Sequence, residues 1–69
     1  MKISARNQWP GTVTKIVQGA VNSEVTVTLA GGQQVVSIIT RASVERLGLA
    51  DGKPAIVIVK SSDVMLAVD

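Results

Sequence analysis

The chain reads as an all-β domain of five short strands, with one short helix between strands 3 and 4. Three observations predict this class. Apolar residues make up 46% of the 69 positions, yet Trp9 is the sole aromatic, so the hydrophobic content is Val, Ile, Leu and Ala. Side chains branched at Cβ suit the pleated surface of a strand better than the crowded turn of a helix. The stretch Glu24-Val25-Thr26-Val27-Thr28-Leu29 alternates polar and apolar without a break, the signature of a half-buried strand. Helical spacing shows only between Ile39 and Gly48.

The first strand runs from Trp9 to Gln18. It should be interrupted or bent near Pro10-Gly11, because proline lacks an N–H and belongs at an edge, a strand start or a bulge. Gly19 to Asn22 is the turn into the second strand, Glu24 to Leu29. Ala30-Gly31-Gly32-Gln33 turns the chain back, since adjacent glycines permit positive φ, and Gln34 to Ile39 returns as the partner strand. Thr40 then caps a short helix with apolar positions at Ala42, Val44 and Leu47, and Gly48 ends it. Asp51-Gly52-Lys53-Pro54 is a further turn. Ala55 to Val59 is apolar on both faces, as in a barrel wall against a subunit or in a central strand. Lys60 to Asp63 breaks that run, and Val64 to Val68 makes the fifth strand. Three strands, a helix and two strands is the element order of the OB-like five-stranded Greek-key barrel.

Residues 1–69 form one domain, with no room for a second and no cysteine to staple it. Only 17% of residues are charged, so strands rich in aliphatic side chains leave more apolar area than one small domain can bury; oligomerisation would hide it. Seven Lys and Arg against five Asp and Glu give a net charge of +2 without a basic block, which argues against a nucleic-acid partner. The start, Met1 to Arg6, has no apolar core of a secretory signal, and the longest apolar runs fall far short of the roughly 20 residues of a membrane span. A cytoplasmic protein with no membrane partner is the expectation.

Enzyme chemistry finds no footing. There is no His or Cys to serve as base, nucleophile or zinc ligand. Glu24, Glu45, Asp51, Asp63 and Asp69 show no paired spacing for acid–base work, and Gly31-Gly32 belongs to a hairpin, not to a phosphate loop. Neither catalytic residues nor a site for a bare metal cation are expected.

Two polar clusters remain, one near each end: Ser4-Ala5-Arg6-Asn7-Gln8-Trp9 and Lys60-Ser61-Ser62-Asp63-Val64-Met65. Each joins one cation to small hydroxyls and to unobstructed backbone amides, a combination suited to a compact oxyanion. Arg6 precedes the first strand and Lys60 follows the fourth, so loops at one end of a barrel could bring them together, within one subunit or across two. Serines also serve in ordinary turns by bonding their own backbone, and a polar loop fits the same residues. Thr40 and Ser43 offer a third donor set: a helix cap, or a helix start facing an anion, two roles that are compatible.

Ser-Ala-Arg-Asn-Gln near the start, Thr40 and Ser43 in the middle, and Lys-Ser-Ser-Asp-Val-Met near the end resemble the molbindins, small molybdate-binding proteins built on a Mop domain. The resemblance covers essentially the whole chain, including the Gly-Gly hairpin and Leu47-Gly48-Leu49. It implies an OB-like barrel assembled as a hexamer, a trimer of dimers, holding molybdate or tungstate at subunit boundaries without a cofactor. Ser4, the backbone of Ala5, and Arg6 would come from one subunit, with Lys60 and Ser61 as the second cluster. Thr40 and Ser43 would match donors supplied by a neighbour. A second type of site near the threefold axis is also implied, with Gly19 to Ser23 as its weaker candidate. The expected function is intracellular binding, storage and buffering of the oxyanion. Two other classes remain to be weighed: an OB-type nucleic-acid-binding module, for which Trp9 is the only base-stacking residue, and a purely structural oligomerisation domain.

Overall fold

A computed structural model describes residues Met1 to Asp69. Four strands, β1 (Asn7–Gln18), β2 (Asn22–Leu29), β3 (Gln34–Thr40) and β4 (Pro54–Val59), form one antiparallel sheet in the order β3-β2-β1-β4. The helix α1 (Arg41–Leu47) follows β3, and a single 3-10 turn, η1 (Ser61–Asp63), follows β4. The first three strands form a meander and the fourth returns beside the first, which is a Greek key.

The local signals behave as their chemistry requires. Gly32, at φ +89°, closes the β2–β3 hairpin, where the Leu29 and Gln33 backbones bond. Thr40 caps α1: its Oγ1 accepts from the Ser43 amide at 3.0 Å. At the other end Gly48 adopts φ +65°, and the amides of Gly48 and Leu49 donate to the carbonyls of Glu45 and Val44. This Schellman arrangement satisfies carbonyls that the last helical turn would leave bare.

Three expectations are corrected. Val64 to Val68 is not a strand, so the sheet has four strands and two free edges, β3 and β4, where an OB-like five-stranded barrel was expected. Strand propensity is realised only against a partner, and this segment leaves the sheet after η1 with Met65, Leu66 and Val68 at least 92% exposed. The irregularity in β1 falls at Thr14, between the pairs Val13↔Val27 and Lys15↔Thr26, and not at Pro10-Gly11. Pro10 needs no break because β2 pairing begins only at Gly11; up to that point β1 has β4 on one side and no strand on the other. Finally, of the two places open to Ala55 to Val59 only the central one is excluded: β4 is an edge strand whose outward residues Ile56 and Ile58 are exposed.

Val13, Val25, Val27 and Val44 make the core, with Ile16, Leu29, Ile39, Leu49, Ala55 and Val57 packed around them. Alternation along β2 sends Val25 and Val27 inward to meet Val44 of α1, so the helix lies against one face of the sheet. Strands β1 and β2 approach closely at Gly11, where a Cβ would stand 2.7 Å from both the Thr28 carbonyl oxygen and Val27 Cγ1. Only six of 69 residues are buried, while Val36, Ile38 and Ile56 on the open faces of the edge strands are more than half exposed. A single chain therefore leaves much of its aliphatic surface wet.

Candidate functional site

The β1–β4 ladder brings the two terminal clusters together. Its last rung pairs Asn7 with Val59, so the residues just before β1 and just after β4 emerge side by side. Ser4, Ala5 and Arg6 form one arm of an open cleft, and Lys60, Ser61 and Ser62 form the other. Ile3 and Ile58 supply its apolar wall. Both cations thus serve one cleft within one chain.

The backbone of each arm is set locally. In η1 the amides of Asp63 and Val64 donate to the carbonyls of Lys60 and Ser61, at 2.9 and 3.3 Å. The amides of Ser61 and Ser62 stand at the start of that turn, where a 3-10 helix offers no internal acceptor. On the opposite arm the Gln8 side-chain amide donates to the Ala5 carbonyl at 2.5 Å, folding Ser4 to Arg6 back on the strand. No carboxylate lines the cleft; Asp63 is exposed, outside the lining. The cleft therefore carries two cations, three serine hydroxyls and backbone amides, a set able to donate hydrogen bonds to an anion from several directions.

Thr40 and Ser43 do not join this cleft within the chain. Thr40 pairs with Asn22 at the far end of the sheet, next to the turn that follows Gln18. The length of the 12-residue β1 and three interstrand steps separate the two places. The pair is nonetheless ordered as a donor: Thr40 Oγ1 donates to Ser43 Oγ at 2.9 Å, which leaves the Ser43 hydroxyl proton free to point outward. In the Gly19 to Ser23 segment, Gly19 and Asn22 close the turn through a 2.9 Å backbone bond. Ser23 Oγ is buried and without a hydrogen-bond partner in the chain.

Ser62 belongs to the second polar cluster of the sequence but not to the residues the family resemblance picks out, whereas Ile3 and Ile58 join the cleft lining through chain crossing that no local motif records.

Residues 3–66 match the TOBE domain. The chain is 47% identical over 66 residues to molybdenum-pterin-binding protein 2 of Clostridium pasteurianum, spanning 96% of this chain and 97% of that one. It is 46% identical over all 69 residues to the molybdenum transport protein ModE of Herbaspirillum seropedicae, but spans only 26% of that longer protein. Among solved structures it superposes with a TM-score of 0.96, at 45% identity, on the cytoplasmic molybdate-binding protein ModG in a form with molybdate bound, covering all of this chain and 49% of that one.

Proposed function

Because the chain belongs to the TOBE-domain family as a molbindin-type small molybdate-binding protein, we propose that it holds molybdate or tungstate in the Arg6–Lys60 cleft, at subunit boundaries of a homo-oligomer. The observation that carries this reading is the meeting of two cation-and-hydroxyl arms around a cleft with no carboxylate. A fully deprotonated tetrahedral dianion needs positive charge and directed donors and asks for no acceptor. Ser4, the Ala5 backbone, Arg6, Lys60 and Ser61 offer those donors from one subunit. Molybdate and tungstate, alike in charge and nearly alike in size, draw on the same set.

The cleft is open, and a neighbouring copy closes it with Thr40 and Ser43, which one chain holds too far from its own Lys60. The exposed aliphatic faces of β3 and β4 and the apolar tail from Val64 to Val68 support such an assembly, since each finds cover only outside its own chain. The assembly is a hexamer, a trimer of dimers. Binding is non-catalytic, and the anion is cargo, not a cofactor. The role is cytoplasmic storage and buffering of the oxyanion. Native mass spectrometry with and without molybdate tests both halves of the reading, with six subunits carrying bound anions as the expected result. A monomer that retains no anion would overturn it.

A further inference from the structure

We propose that Asn7 is a positioning residue that fixes the spacing between the two arms of the cleft. The inference rests on the reading of that cleft as the oxyanion site and names a residue that makes the site work without touching the ligand. Beyond the Asn7↔Val59 rung the β1–β4 ladder stops, and the arms run on as irregular chain. Ladder ends fray unless a further bond ties them down. Here the half-buried Asn7 side chain supplies it: Nδ2 donates to the Val59 carbonyl at 3.2 Å. Asn7 is the residue next to Arg6, and Val59 the residue next to Lys60, so this bond joins the roots of both cation-bearing arms. No other side-chain hydrogen bond in the chain links them.

The chemistry of the group fits this use. A carboxamide has both donors and an acceptor, and its orientation follows from its partner: a carbonyl can only accept, so the NH2 group faces Val59. Gln8 spends its own amide on the Ala5 carbonyl of the first arm. The two carboxamides of Asn7-Gln8 thus brace backbone, while the cations and hydroxyls around them stay free for the anion.

The test compares Asn7→Leu, nearly isosteric but without a donor, and Asn7→Ser, too short to reach Val59, with Asn7→Gln, which keeps a donor. Titration calorimetry would measure molybdate and the smaller sulfate for each folded variant, alongside wild type and Arg6→Ala. Losing one neutral bond should weaken molybdate binding by roughly three- to tenfold in Asn7→Leu and Asn7→Ser. Sulfate, too small to span both arms, should fall less, so that the molybdate-to-sulfate ratio narrows. Asn7→Gln should recover part of both the affinity and the ratio. Molybdate affinity unchanged in Asn7→Leu and Asn7→Ser, while Arg6→Ala still loses it, would overturn the role of Asn7 and leave the site standing. Equal losses for both anions, with no recovery in Asn7→Gln, would overturn it too. A wild-type protein that binds no molybdate, or an Arg6→Ala variant that binds it normally, would remove the site and the inference together.

Discussion

If Lys60 and the Thr40–Ser43 pair serve one anion from different subunits, two weakened variants should repair each other. The perturbation is a pair of chains: Lys60→Ala in one, and Thr40→Ala with Ser43→Ala in the other. Each alone lacks one side of every site. When the two are unfolded in urea, mixed in equal amounts and refolded together, the subunits assort at random. A site is whole only when its Lys60 comes from the second variant and its Thr40 and Ser43 from the first. Each condition is met half the time, so about a quarter of the sites should be restored at full affinity. The geometry makes this test decisive, because within one chain the 12-residue β1 lies between the two donor sets. Calorimetry reads the outcome directly: only weakened sites for each variant alone, and about a quarter of the sites at wild-type affinity in the mixture. A mixture that binds no better than its components would refute the shared site, as would either variant binding normally alone.

Three further outcomes follow from the same geometry. Arg6→Ala and Lys60→Ala should each weaken molybdate binding about tenfold or more by calorimetry, the low end of a charge-assisted bond because the cleft is open on one chain. Gly11→Ala forces a methyl group against the Thr28 carbonyl and Val27 Cγ1, each at 2.7 Å, and backbone cannot yield cheaply; urea and thermal unfolding should show a loss of about 1–3 kcal/mol, or roughly 5–20 °C, and unchanged stability would contradict the close approach. Phosphate, which keeps protons near neutral pH and so needs an acceptor, should compete poorly with molybdate in a cleft without a carboxylate; equal competition in displacement calorimetry would point instead to a general phosphate-binding loop.

Much of this protein was legible in its sequence because the deciding interactions are short. The Gly-Gly hairpin between β2 and β3, the Thr40 cap and the Gly48 terminus each depend on bonds spanning a few residues. Alternation along Glu24 to Leu29 chose which side chains face the core. The donor arms were visible as well, because each is contiguous in the chain.

Pairing across the sheet is another matter, since a strand's backbone groups are satisfied only by whatever lies beside them. Val64 to Val68 has the composition of a strand and none of the partners, so it is not one. The bend of β1 moved from Pro10 to Thr14 because β2 begins to pair only after the proline, a fact of register. Whether Ala55 to Val59 lay at the centre or the edge turned on its place beside β1 alone. Residues 52 positions apart, Asn7 and Val59, set the two arms facing each other, while Thr40 and Ser43 were carried to the opposite end of the same sheet. Local chemistry chooses the elements and the donors, and long-range ladder pairing chooses which of those donors stand together in one chain.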